Sequence, residues 1–110
     1  MPGCSRNDII LVRYPFSDLT TAKVRPAVVV GVGHRANDYL IVPLTSRIDS
    51  LGPAEFILRD WVGCGLRIAS AVKRGIYTIH DRLIIKSVGK LSSVDIDQLN
   101  GSLRKWLELP

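Results

Sequence analysis

Short runs of apolar and β-branched residues, separated by turn-forming residues, recur along most of the chain and restrict its fold more than any other feature. They lie at residues 9–14, 27–32, 39–44, 68–72, 76–79 and 83–85, with a shorter run at 55–58. Val, Ile and Tyr favour strands, and many short strands at close spacing are typical of a small barrel or a coiled sheet. The sequence therefore predicts a mostly β fold.

The C-terminal segment has a different period. Its apolar residues recur at helical spacing and would lie on one face of a helix: Ile96, Leu99, Leu103, Trp106 and Leu107. Ser92 followed three residues later by Asp95 resembles a capping box at the start of that helix. We predict one C-terminal helix packed on the sheet, which makes the fold class α+β with β predominating.

Size and composition favour one soluble domain over residues 1–110. A chain of 110 residues with 46% hydrophobic and 23% charged residues can bury a core. Its longest apolar run, residues 27–32, is far shorter than the roughly 20 residues of a membrane helix, and no secretory signal is recognisable. We therefore expect a cytoplasmic protein without membrane association.

Two cysteines are present, and their spacing excludes the usual metal motifs. Cys4 and Cys64 stand far apart and form none of the paired patterns of zinc or redox sites. Neither His34 nor His80 has a second potential ligand at a recognisable spacing. We expect two reduced thiols, no bound metal and no cofactor.

Positive charge is concentrated in one third of the chain. The net charge is +5, and residues 61–90 carry six cations against Asp81 alone: Arg67, Lys73, Arg74, Arg82, Lys86 and Lys90. Nucleic acid is a natural partner of such a surface because contacts between Arg or Lys and phosphates release counterions. A solvated basic face that keeps the protein soluble is the alternative reading.

Arg25 and Thr45 form a candidate pair. Arg25 precedes the second predicted strand, and Thr45 ends the third. If these strands pair as a hairpin, the start of one lies beside the end of the other. A guanidinium and a hydroxyl can both donate hydrogen bonds to phosphate oxygens. The same residues could equally form a loop salt bridge and a turn, so spacing alone leaves both interpretations open.

Four ordered segments resemble the MazF/PemK/Kid toxins: NDIILV at residues 7–12, YPFSDLT at 14–20, KVRPAVVV at 23–30 and IVPLTS at 41–46. The resemblance extends over most of the chain and is strongest in its first 46 residues. It implies an SH3-like barrel with added helices, a homodimer, and metal-independent cleavage of single-stranded RNA to a 2′,3′-cyclic phosphate. It also implies an acidic antitoxin as partner. In that family the positions that match Arg25 and Thr45 are catalytic or stabilise phosphate.

Two positions depart from the usual family pattern. Asn7 stands where glycine is common, and we expect the turn to accept it because Asn tolerates positive φ. Many relatives carry Arg-x-Asp in the strand near residues 69–75, where this chain has Lys73 and Arg74 but no carboxylate. Asp18 is the one carboxylate in the polar segment at residues 17–23, which we predict to be an exposed loop, and it is our candidate base. A lone Asp in a loop also suits a turn.

Further residues are predicted to contact RNA: Thr20, Lys23, Ser46, Lys73, Arg74 and Trp61. Trp61 lies in a glycine-flanked loop and could stack an unpaired base, as could Tyr77, whereas Trp106 suits the core or a dimer contact. A two-histidine ribonuclease is a weaker interpretation. His34 falls in the predicted hairpin turn, and His80 next to Asp81 suggests a surface pair.

Two other functions remain open at this stage. One is an RNA-binding module of the same fold with impaired catalysis, because the usual acidic partner is missing. The other is a gyrase-poisoning toxin, a class that shares the barrel. Such toxins act through a particular C-terminal end, which residues 107–110 do not resemble.

Overall fold

The computed structural model describes residues 3–14 and 23–110, and for Tyr14 the backbone alone. Within these residues the chain forms seven strands and one α-helix. The elements are β1 (Asp8–Tyr14), β2 (Lys23–Val32), β3 (Asp38–Thr45), β4 (Phe56–Ile57), β5 (Ala71–Val72), β6 (Tyr77–His80), β7 (Ile84–Lys90) and α1 (Ser93–Trp106). The predicted mostly β fold with a C-terminal helix is confirmed.

All strand pairs are antiparallel, in the order β4-β5-β3-β2-β1-β7. One edge of β3 pairs with β2, and its other edge pairs first with β6 and then, over its last two residues, with β5. Among the described residues no pairing joins the two ends of this order, so the sheet does not close into the expected barrel. A 3-10 turn, Asp81–Leu83, connects β6 to β7 in place of a hairpin.

Two apolar clusters lie on opposite faces of the sheet. The first contains Ile9, Val28 and Val42 and is covered by α1 through Leu99. The second contains the residues of β1, β2 and β3 that point to the other face, together with Ile79 of β6 and Ile84 of β7. Because β6 and β7 flank the central strands from opposite sides, the sheet must coil around the second cluster. Each fully buried Val, Ile or Leu contributes about 1.5–3 kcal/mol to folding.

Helix α1 begins with the predicted cap. Ser92 is the N-cap residue, and its Oγ accepts a hydrogen bond of 3.3 Å from the N–H of Asp95. The carboxylate of Asp95, which is fully buried, accepts hydrogen bonds from the N–H groups of Arg59 (2.9 Å) and Asp60 (3.2 Å). The cap therefore also fixes the segment that follows β4.

The described part of the chain contains no helix with the length and apolar character of a membrane span.

Two strand predictions were wrong in extent. The predicted strand at residues 68–72 is reduced to β5, because Ile68 is exposed and the Ser70 hydroxyl donates to the Ile68 carbonyl at 2.9 Å. Such local bonds compete with strand pairing. Conversely, β7 extends well beyond residue 85, because an edge strand tolerates exposed polar residues such as Lys86.

Asn7 adopts the conformation expected of it. Its φ is 75°, in the left-handed region, and its N–H donates to the Val29 carbonyl at 2.7 Å. Its carbonyl accepts a hydrogen bond of 3.0 Å from the N–H of Leu91. Asn at this position therefore supports the turn that leads into β1.

Candidate nucleic-acid interface

Arg25 and Thr45 lie at the same end of two paired strands. The β2–β3 ladder places Ala27 opposite Pro43. The ladder ends at this pair. Arg25 stands two residues before Ala27, and Thr45 stands two residues after Pro43, so both lie just beyond the last β2–β3 pair, at the same end of the hairpin. The hairpin therefore brings the start of β2 and the end of β3 to the same end of the sheet, as the sequence predicted for these strands.

Both residues also point to the same face of the sheet. Side chains alternate along a strand, so Arg25 shares a face with Ala27 and Val29, and Thr45 shares one with Ile41. Val29 and Ile41 both belong to the second apolar cluster. Arg25 is exposed and Thr45 is half-buried, so they form the polar, solvent-facing end of an apolar surface.

The Thr45 hydroxyl is oriented by the backbone. Its Oγ1 accepts a hydrogen bond of 3.1 Å from the N–H of Arg47. A hydroxyl has one proton to donate in addition to its acceptor lone pairs. This contact therefore occupies a lone pair of Thr45 and leaves the proton available for an acceptor such as a phosphate oxygen.

Lys73 lies on the same face, next to this pair. Its N–H donates to the Pro43 carbonyl at 3.0 Å, which extends the β3–β5 pairing in which Ala71 lies opposite Thr45. Alternation along β5 then gives Lys73 the same face as Ala71 and Thr45. Its side chain is exposed. The guanidinium, the hydroxyl and the ammonium thus belong to one surface, which we call the donor face: Arg25, Thr45 and Lys73.

Arg74 is associated with a carboxylate that the sequence analysis did not identify. Its N–H donates to Oε2 of Glu55 at 2.7 Å, and the N–H of Gly52 donates to Oε1 at 2.7 Å. These two backbone hydrogen bonds, that from Arg74 first, lower the pKa of Glu55. The contact joins residues 19 positions apart, so no local motif could have indicated it.

The other predicted RNA-binding residues are distributed around the donor face. Lys23 begins β2 opposite Tyr14 and, by alternation, shares the face of Arg25. Ser46 follows β3 directly and is exposed. Asp18 and Thr20 lie outside the described residues, so the candidate base stays a prediction.

The aromatic candidates fall on different faces. Tyr77 pairs with Ile41 and so lies on the face of the second cluster, where it is 43% exposed. The backbone at Gly75, whose φ is +148°, passes close to the Tyr77 ring. A Cβ at this position would lie 2.9 Å from the ring, so the close contact requires glycine. Trp61 is half-buried against the first cluster and faces away from the donor face. Trp106 packs against that cluster too, and its Nε1 donates to the Pro53 carbonyl at 3.2 Å.

The titratable residues that could have supported other chemistry are placed elsewhere. His80 Nδ1 lies 2.9 Å from Asp81 Oδ1, which confirms the predicted surface pair. His34 is exposed in the turn between β2 and β3, at the opposite end of the hairpin from Thr45. Burial raises the pKa of the Cys64 thiol. Among the described residues, no group of three or more His, Cys, Asp or Glu side chains could hold a metal ion.

A groove of about 670 Å³ opens on the opposite face of β2, and we call it the flanking groove. Apolar side chains form its walls, and two cations and serine residues also line it; the lining includes Leu11, Pro26, Leu66, Ile68, Arg67, Lys86 and Ser70. The two cations belong to the basic segment of residues 61–90, but the sequence did not indicate that they lie together. Their proximity depends on how the segment after β4 packs beside β7.

Comparison with known proteins places the chain in a family. The family model described as "PemK-like, MazF-like toxin of type II toxin-antitoxin system" matches residues 5–107. No curated protein matches the sequence.

Solved structures resemble the fold over nearly all of the chain. An endoribonuclease in complex with its cognate antitoxin from Mycobacterial species has a TM-score of 0.75 and 16% identity, and covers 100% of this chain and 98% of its own. Mycobacterium tuberculosis toxin MazF-mt6 has a TM-score of 0.70 and 20% identity, with 94% and 98% covered. A MazE-MazF structure from Deinococcus radiodurans has a TM-score of 0.72 and 14% identity, with 97% of each chain covered. At these identities the likeness shows the fold, and the family match shows the kinship: the chain belongs to the PemK-like, MazF-like toxins of type II toxin-antitoxin systems.

Proposed function

We propose that this toxin is an endoribonuclease that cleaves single-stranded RNA at specific sequences without a metal ion, leaving a 2′,3′-cyclic phosphate and a 5′-hydroxyl. The observation that carries the proposal is the donor face. There, the side chains of Arg25, Thr45 and Lys73 are three hydrogen-bond donors, two of them charged, at the start of β2, the end of β3 and the residue that follows β5.

The chemistry requires charge stabilisation at phosphorus. The 2′-hydroxyl loses its proton to a base as its oxygen attacks the adjacent phosphorus, the bond from phosphorus to the 5′-oxygen breaks, and the leaving oxygen takes up a proton from water. Arg25 and the Thr45 hydroxyl would donate to the non-bridging oxygens, where negative charge increases in the transition state. Lys73 would add a third positive contact. These groups supply the charge that a metal ion supplies in other nucleases.

The proton acceptor for the 2′-hydroxyl is a separate part of the proposal. We assign this role to Asp18, which lies in the sequence between β1 and the strand that carries Arg25. Glu55 is a poor alternative. Its carboxylate is already engaged by two backbone N–H groups, and its pKa is lowered.

A binding module with impaired catalysis is the second candidate function. The contacts of Glu55 favour this candidate. Glu55 is the carboxylate near Lys73 and Arg74, and its backbone hydrogen bonds indicate a structural role rather than a catalytic one. Such a protein would bind RNA with a steep salt dependence and release no cut products.

The expected partners of the toxin are an acidic antitoxin and a second copy of the chain, in the cytoplasm. We propose that the second copy binds at an apolar groove beside the end of α1, which has a volume of about 360 Å³. It contains Val30, Leu40, Ile76, Leu103, Leu107 and Leu109, with Arg6 and Arg104 at its margin. A two-fold axis through this site would place the apolar residues of one copy against those of the other.

The dimer is tested by measuring the mass of the protein in solution. Leu107→Asp should give a monomer, because a charge would enter the apolar contact; Leu107 is 51% exposed in the monomer, so the fold should tolerate the change. Val62 lies outside this site and is 67% exposed, so Val62→Asp should stay dimeric. A monomeric wild-type protein at micromolar concentration would contradict the assignment.

Ribonuclease activity is tested by incubating the purified protein with a mixed RNA pool in EDTA and analysing the product ends. We expect cuts at a restricted set of sequences with cyclic phosphate and 5′-hydroxyl ends. Arg25→Ala, purified in the same way, controls for contaminating nucleases. Intact RNA at high protein concentration, or equal cleavage by Arg25→Ala, would overturn the proposal.

A further inference from the structure

The flanking groove has the size and lining of a ligand site. Its volume of about 670 Å³ lies within the range of small-molecule pockets, roughly 300–1,000 Å³. Leu11, Pro26, Leu66 and Ile68 provide apolar walls. Flat apolar walls suit the face of an unpaired nucleobase, which single-strand binders bury by stacking and contact with apolar side chains.

The charge of the groove selects an anionic ligand. Arg67 and Lys86 both line it, and both are exposed. None of its described lining residues is a carboxylate. A ligand that combines a flat apolar part with negative charge at its side therefore fits this groove, and a nucleotide within an RNA chain has that combination.

The groove lies next to the donor face. Pro26 of the groove directly follows Arg25, and Ser70 of the groove directly precedes Ala71, which pairs with Thr45. Consecutive Cα atoms are about 3.8 Å apart. The two sites thus open at the same end of the sheet on opposite sides of β2, and a strand of RNA that crosses this end can occupy both.

We propose that the flanking groove holds the base of a nucleotide next to the scissile phosphate, and that Arg67 and Lys86 bind the phosphate beyond it. The proposal deepens the ribonuclease function and rests on it, because the same RNA strand fills both sites. The groove is then a specificity site: its walls select which base is accepted, while the donor face acts on the phosphate. Its position beside Arg25 and Thr45 favours RNA over an acidic peptide as the occupant.

Binding tests the charged part of the groove without requiring cleavage. The probes are 5′-fluorescein-labelled octanucleotides of A, C or U with 2′-O-methyl groups, which cannot cyclise, and the readout is fluorescence anisotropy. Arg67→Ala should weaken binding about fivefold at 0.1 M salt and lower the salt slope by about 0.7, the effect of one lost phosphate contact on a single strand. Arg35→Ala removes the same charge at the far turn of the hairpin and should leave both quantities nearly unchanged.

Cleavage tests the apolar part. Ile68→Ala shortens one wall, and because Ile68 is 60% exposed the fold should be preserved. Sequencing the cut ends from a mixed RNA pool should show a changed base preference at one position beside the cut, with cleavage retained. Val62→Ala, outside the groove and 67% exposed, is the matched control and should reproduce the wild-type preference.

The outcomes separate this proposal from the ribonuclease function. If the wild-type protein cuts RNA but the groove variants match their controls in binding and preference, the groove proposal is overturned and the ribonuclease stands. If RNA stays intact but Arg67→Ala weakens oligonucleotide binding as expected, the groove site is supported and the cleavage chemistry fails. If Arg67→Ala weakens binding of an acidic antitoxin peptide but not of the oligonucleotides, the occupant is a peptide and the proposal is overturned.

Discussion

The polar groups around Asp95 and those of the donor face are used in opposite ways. Asp95 is fully buried, and its carboxylate accepts hydrogen bonds from Arg59, Asp60 and Ser92. Arg25 and Lys73 are exposed, and Thr45 keeps a hydroxyl proton to donate. Polar groups that satisfy one another stabilise the fold, whereas groups positioned with donors facing solvent are available to a ligand.

The difference predicts that substitutions in the two regions separate activity from stability. Arg25→Ala should lower kcat/KM for RNA cleavage by about 10²–10³, the usual effect of losing one donor to a developing negative charge. Its free energy of unfolding should change by less than about 0.5 kcal/mol, as is common for surface substitutions. Initial cleavage rates and urea unfolding measure the two effects. A large loss of stability would show that Arg25 is structural and would remove the contrast.

Asp95→Asn should have the opposite profile. An amide offers one acceptor oxygen in place of two, so at least one buried donor loses its partner, at about 1–3 kcal/mol each. Thermal unfolding should shift to lower temperature, with cleavage retained well below the transition. Asp97→Asn on the same helix is exposed and serves as the control. Equal melting of the two variants would contradict the role of Asp95.

Glu55→Gln should have the smallest effect on stability, and this effect should depend on pH. The pKa of Glu55 is lowered from 4.5, so its ionised form stabilises the fold above the unfolded value, and this contribution is lost as pH falls through the lower folded pKa. Wild type should therefore exceed Glu55→Gln in stability at pH 7, and the gap should narrow in the acid range below 4.5. The gap is small because Glu55 is partly exposed. Urea unfolding of both proteins at neutral and acid pH measures it, and a constant gap would contradict this assignment.

The sequence predicted the parts of the fold that depend on local pattern. The strand runs, the helical period after Ser92 and the cap at Asp95 are all visible in neighbouring residues. The proximity of Arg25 and Thr45 was accessible because hairpin pairing relates the start of one strand to the end of the next.

Other features depend on contacts between distant segments. The position of Lys73 follows from a two-residue strand and one bond to Pro43, which no periodicity indicates. Glu55 reaches Arg74 across 19 positions, and Asp95 reaches Arg59 across 36. The flanking groove exists only because the segment carrying Arg67 packs beside Lys86 of β7. These placements come from tertiary packing, so sequence reasoning could name the cations but not their arrangement.

If Arg25 and Thr45 act on the same phosphate, their substitutions should be energetically coupled, and a double-mutant cycle measures that coupling directly. The measurement is kcat/KM for cleavage of one single-stranded RNA by wild type, Arg25→Ala, Thr45→Val and the double variant. Because both donors would stabilise one transition state, we predict a coupling of at least about 1 kcal/mol, with the double variant little worse than Arg25→Ala alone. Losses that simply multiply would show that the two residues act independently and would contradict the account.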